Sequence, residues 1–185
     1  MACSQGPDNK DGGSDASSDA PVSSDVSSDA PSDTGSQCKL TGGGTITGTL
    51  LGQTLTPKDA ISYQSGGMLV IGIADYAGAC ALGNNLKANS NVLAITYTGT
   101  TPLPTNTPID VTTVQGLDAQ YAQYDAQCGS PQGESVTGGT ITLTELDACG
   151  AVGSFDLTFN TDHVTGSFSA PNCTNAPDGG GFTCE

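Results

Sequence analysis

Apolar and polar residues alternate with a period of two along most of the chain from residue 44 onward, and Gly, Asn, Asp and Pro separate the alternating runs. Successive side chains of a strand point to opposite sides, so this pattern predicts antiparallel strands with one buried face. In GTITLTEL, Ile141 and Leu143 fall on one face and Thr140, Thr142 and Thr144 on the other. The segment GSFDLTFNTDHVTGSFSA reads as a hairpin. Phe155, Leu157 and Phe159 share one face, and Val164, Gly166 and Phe168 repeat it after the turn. The expected register sets Phe159 opposite Val164, Leu157 opposite Gly166 and Phe155 opposite Phe168, so that large and small side chains interlock. Further strands are predicted at 44–50, 53–63, 67–74, 91–98 and 108–114.

LDAQYAQYDAQC suits a helix from Asp118 or an edge strand about equally, and it is assigned to a strand because its neighbours alternate. Residues 77–90 read as a loop with one helical turn at most. The GTIT of 44–47 returns at 139–142 but not at a fixed period, which argues against a solenoid. The expected fold is all-β, an antiparallel β-sandwich or flattened barrel of about eight or nine strands.

The first 37 residues have no such pattern. Residues 4–37 hold ten serines and seven aspartates against two valines, with no leucine or aromatic residue. Such a segment cannot bury enough apolar surface to offset its ordering entropy. On a helix, Asp11, Asp15 and Asp19, and likewise Asp25, Asp29 and Asp33, would stack like charges at i, i+4. The prediction is a disordered acidic tether over 1–37 and a folded domain over 38–185. A flexible chain of the tether's length has an r.m.s. span of about 30 Å.

Charge narrows the partners. The net charge is −15, with 4 basic residues against 19 acids. Nucleic acid is therefore not an expected partner, because phosphate neutralisation needs Lys and Arg clusters. No run of 18 apolar residues crosses a bilayer. The Asp repeats lack the Gly and Glu positions of a calcium loop. TGGGT and DGGGF lack the Lys-Ser/Thr of a phosphate loop. No cofactor and no metal is expected.

Seven cysteines divide into six within the domain, Cys38, Cys80, Cys128, Cys149, Cys173 and Cys184, and Cys3 alone ahead of the tether. An even set in a Gly-rich domain without CxxC spacing reads as a disulfide framework in an oxidising compartment. Fifteen pairings of six cysteines exist. Sequence order favours Cys149 with Cys173 across the open end of the hairpin, Cys38 with Cys184 clasping the ends of the domain, and Cys80 with Cys128.

Ala2-Cys3, a Ser/Asp/Gly-rich linker and then a small domain resemble mature bacterial lipoproteins, in which a small residue precedes the cysteine that becomes lipidated. Met1 stands where that family carries its apolar signal sequence, and is expected to be an added initiator or a misplaced start. GGTITLTELDACGAVGSFDLTF with VTGSFSAPNC is also similar to modules of β-rich surface lipoproteins of Gram-negative bacteria. The resemblance implies a membrane partner through a lipid on Cys3, with Ser4 compatible with transport to the outer membrane or cell surface. It implies no catalytic residues.

Other chemistry is sparse. His163, the lone histidine, falls in the NTDH turn on the solvent face, and no GxSxG elbow accompanies it. Asp147 with Asp156, or Asp118 with Asp125, are the carboxylate pairs that glycosidase chemistry would use. Tyr63, Tyr76, Tyr97, Tyr121 and Tyr124 are the amphipathic rings, and Tyr121 with Tyr124 is the expected ligand face for a saccharide or protein. The leading expectation is a lipid-anchored cell-envelope β module with a structural or ligand-binding role. A secreted carboxylate-dependent hydrolase and a calcium-assisted adhesin are the alternatives.

Overall fold

The structure is a computed structural model that describes residues 38–82, 86–129, 132–173 and 184–185. Cys3 and the tether lie outside the described residues. Ten strands and one helical turn are described: β1 Gly43–Gly48, β2 Asp59–Ser65, β3 Met68–Ala74, α1 Ala79–Leu82, β4 Asn91–Thr98, β5 Ile109–Asp110, β6 Leu117–Gln123, β7 Gln132–Ser135, β8 Gly138–Asp147, β9 Gly150–Phe159 and β10 Asp162–Pro171. They form two five-stranded sheets. Sheet I has the order β1-β10-β9-β8-β5 and sheet II the order β2-β3-β4-β6-β7, with every neighbouring pair antiparallel. The fold is the expected all-β sandwich.

Alternation makes the core. Ile141, Leu143, Phe155, Leu157, Phe159, Val164 and Phe168 of sheet I pack with Leu69, Ile71, Ile73, Leu93, Ile95, Tyr97 and Tyr121 of sheet II. The hairpin of β9 and β10 has the predicted faces but a register displaced by two residues. Asp162 is opposite Phe159, Val164 opposite Leu157, Gly166 opposite Phe155 and Phe168 opposite Gly153. The cause is the turn, which has two residues. Asn160 adopts a left-handed φ of 46°, which Asn tolerates better than most side chains. A shift of two leaves every side chain on its own face. It also sets two of the three inward aromatic rings against glycines, Phe155 on Gly166 and Phe168 on Gly153, where a Cβ would meet the ring.

Two strands are shorter than expected at one end and one strand was not expected. Pro57 lacks a ladder donor, and Leu50 and Gln53 close a tight turn by exchanging backbone bonds, so β2 starts at Asp59 and not at 53. The strand predicted at 108–114 stops at Asp110, whose Oδ1 accepts from the Thr112 N–H and Oγ1–H and whose carbonyl accepts from the Thr113 N–H. QGES, now β7, carries no apolar alternation and is found only through its pairing with β6. The ambiguous segment around Asp118 is strand β6, and 77–90 holds the one helical turn.

All six domain cysteines are bonded, as Cys38–Cys149, Cys80–Cys173 and Cys128–Cys184. None of the three pairings expected from sequence order occurs. The Asn172 N–H donates to the Cys149 carbonyl, so Cys149 lies one position out of step with Cys173 and the two side chains leave opposite faces of the hairpin. Cys149 reaches Cys38, while the Cys173 N–H donates to Ser62 O in sheet II and its buried sulfur meets Cys80 of α1. The Cys184 segment runs beside Leu86, with Glu185 N donating to Leu86 O and Ala88 N to Glu185 O, and so it meets Cys128. Three disulfides in a domain of this size denote an oxidising, extracytoplasmic environment.

Candidate functional site

The two strand ends of sheet II carry different chemistry. At one end β3 finishes at Ala74, β4 begins at Asn91 and β6 finishes at Gln123. Backbone bonds from Asp75 N to Asn91 O and from Tyr124 N to Ser90 O hold the adjoining residues side by side. Asp75 grips Asn91 with both oxygens, Oδ1 accepting from its backbone N–H at 3.0 Å and Oδ2 from its Nδ2 at 2.7 Å. Asp59 Oδ2 accepts the Gly78 and Ala79 N–H groups, each at 2.9 Å, and so shapes the loop that carries Tyr76.

This end gathers Tyr76, Tyr124, Asp59 and Asp75. Burial pushes the Tyr76 phenol above its ordinary value, and the neighbouring Tyr124, Asp75 and Asp59 push it further the same way. Burial alone raises Tyr124. Both rings are half-buried and keep part of their surface in solvent.

Of the two tyrosines singled out in the sequence, only Tyr124 belongs to this surface. Tyr121 is 1% exposed and belongs to the core, so it is not a ligand-facing residue. Its hydroxyl donates to Asn91 Oδ1 at 3.1 Å and accepts from Gln123 Nε2 at 3.1 Å. Burial raises the Tyr121 phenol, the Gln123 bond opposes the rise, and the Asp75 charge adds to it. Alternation carries the information that separates the two rings, since Leu117, Ala119 and Tyr121 form the buried face of β6. Tyr76 was the partner missed. It follows a strand end in sequence, and no local pattern signals that two loops bring it to Tyr124.

The opposite end of sheet II holds a shallow depression of about 380 Å³ between the β2–β3 turn and residues 97–103, with Leu146 on its rim. No charged residue lines it, and Met68, Leu103 and Leu146 supply its apolar surface. The Tyr97 hydroxyl donates to Thr101 O at 2.6 Å. Gln64 Nε2 donates to Asp147 O two residues before Cys149, so the Cys38–Cys149 bridge, through which the chain enters the domain, lies toward this end.

The remaining candidates do not converge. Asp118 and Asp125 lie seven residues apart on one extended run, roughly 20 Å, and Asp147 and Asp156 are separated by a similar length of β9. Glycosidase carboxyls stand about 5 to 9.5 Å apart. Each acid has local work: Asp125 Oδ1 accepts from Gln127 and Gly129, Asp147 Oδ1 from Cys149, and Asp118 Oδ2 from Gln120. His163 Nε2 meets Asp156 Oδ1 at 2.7 Å on the outer face of sheet I, with both side chains more than half exposed. Among the described residues no three His, Cys, Asp or Glu side chains are grouped to hold a metal, and no helix is long and apolar enough to cross a membrane. Comparison with protein-family models, with curated proteins and with solved structures finds no match for this chain.

Proposed function

We propose that this protein is a lipid-anchored module of the bacterial cell envelope, held through Cys3, that presents the Tyr76–Tyr124 end of its sandwich to a saccharide or protein ligand. The observation that supports the reading is the gathering of Tyr76, Tyr124, Asp59 and Asp75 at one end of sheet II. Two phenols beside fixed carboxylates offer ring faces and O–H donors, which is recognition chemistry for hydroxyl-rich or peptide ligands. Asp59 and Asp75 support that surface and hold its loops, with no proton transfer required of them.

Expression behind a lipoprotein signal sequence tests the anchor. The wild-type chain is expected in the membrane fraction and the detergent phase, since diacyl anchoring is stable where a single chain is marginal. Cys3→Ser is expected to release it as a soluble protein. Equal partitioning of the two forms would refute the anchor.

A further inference from the structure

An exposed sheet edge is a template for another strand, and stable monomers blunt their edges with short strands, charge, proline or a cover. Three of the four edges here are managed in this way. The β8 edge is covered by residues 105–111, with Asn106 N donating to Leu143 O, Val111 N to Gly139 O, and β5 only two residues long. The β2 edge receives the end of β10, where Asn172 bridges to Ser62 and Cys173 N donates to Ser62 O. The β7 strand has four residues, and its Glu134 lies opposite the buried Tyr121, pointing inward so that its Oε1 takes Asn160 Nδ2 from sheet I.

The β1 edge has no such device. Gly43–Gly48 reads GGTITG, six residues with no charge and no proline in a chain of net charge −15. Thr45, Thr47, Gly44 and Gly48 are exposed. Among the described residues β1 pairs with β10 on one side and with no strand on the other.

The sequence of this edge is its own antiparallel complement. Gly44-Thr45-Ile46-Thr47-Gly48 reads the same in both directions about Ile46. Antiparallel pairing centred there sets Thr45 opposite Thr47 of the other copy, Ile46 opposite Ile46 and Gly44 opposite Gly48. Thr–Thr pairs favour a sheet, and no like charges are brought together, although 19 acids crowd the rest of the chain. Faces match as well: Ile46 packs toward the core on both sides of the two-fold axis, and the threonines stay on the outer face with Ser167. We propose that β1 is a docking edge for β1 of a second copy of this chain, fusing the two copies of sheet I into one ten-stranded sheet across an isologous interface. This proposal does not depend on the anchor reading.

The test uses the full chain carrying Cys3→Ser, so that the lone thiol cannot link copies covalently, and reads mass by sedimentation equilibrium over a wide concentration range. A reversible species of twice 18.3 kDa is expected. Adding Thr45→Lys and Thr47→Lys sets like charges opposite each other twice and is expected to weaken the dimer about tenfold or more. Adding Thr45→Lys and Thr47→Glu instead sets opposite charges across the same axis and is expected to restore it. Hydrogen exchange on the unsubstituted chain is expected to protect β1 amides more strongly as concentration rises. A single-chain mass at every concentration overturns the proposal. So does a dimer indifferent to the paired lysines, or one that the lysine–glutamate variant fails to restore while remaining folded by circular dichroism.

Discussion

Tyr76, Tyr121 and Tyr124 show how one residue type takes different roles, Tyr121 within the core and the other two half-buried at the end of sheet II. All three phenols are raised from the ordinary value of 10.0, each chiefly by burial. A raised folded-state pKa means that the unfolded chain loses the phenol proton first as pH climbs. Stability from these groups is therefore intact below pH 10 and declines from there toward the folded pKa values. Alkaline titration of the thermal midpoint is expected to show that decline. Tyr76→Phe with Tyr124→Phe is expected to flatten it while leaving the neutral-pH midpoint within a few degrees, because only hydroxyls on half-buried rings are removed. An unchanged alkaline slope in the double variant would show that these rings do not share a buried, mutually repelling site. No local pattern announces the Tyr76–Tyr124 approach, since residues 48 positions apart meet only after β3, β4 and β6 are laid side by side.

At the scale of elements, what was legible was what period two encodes. Strand β4 falls at the predicted 91–98, and β9 and β10 bury the predicted faces, because alternation is imposed by the core itself. What was not legible depended on turns and on pairing: the two-residue loop that reset the hairpin register, the Asp110 turn that cut β5 short, and the polar β7. Strand β8 holds both kinds of information. Its ladder runs Leu143 to Gly153 and then Glu145 to Val152, which leaves Thr144 as an extra residue in a bulge. That extra residue explains why Leu143 and Leu146 stand three apart, since it turns Leu146 back toward the core and Glu145 outward. Deleting Thr144 is expected to leave a regular ladder with both leucines inward and a folded protein, at the cost of the Thr144 bond to Val152 O. Deleting Thr142 is expected to turn Ile141 outward and prevent folding, because a one-residue slip reverses every side chain before it. Circular dichroism melts of the two deletions decide the matter, and equal midpoints would remove the bulge from this role.

Over the whole domain, the disulfides tie regions that the strand ladders leave separate. Cys38–Cys149 fastens the entering chain to the β8–β9 turn, Cys80–Cys173 joins α1 on the sheet II side to the end of β10 in sheet I, and Cys128–Cys184 holds the last residues beside Leu86. Their sequence separations are 111, 93 and 56 residues, so each closes a long loop, and the chain-entropy model assigns about 4 to 5 kcal/mol apiece when each is taken alone. Loop length alone barely separates them. Position does separate them: Cys173 is buried where β10 crosses to β2, and its backbone N–H there bonds Ser62, whose own hydroxyl donates to Ala170 O inside the sandwich. Cys128–Cys184 holds residues 184–185 beside Leu86, and neither cysteine belongs to the core of the described residues. Replacing Cys80 and Cys173 by alanine is therefore expected to lower the thermal midpoint more than replacing Cys128 and Cys184, and to expose the edge of β2. Intact-mass measurement with and without reductant should first count six protected thiols in the native domain. Calorimetry of the two double-alanine variants then ranks the bridges. A larger loss from the Cys128–Cys184 pair would mean that the terminal strap, and not the junction of the two sheets, limits the stability of the sandwich.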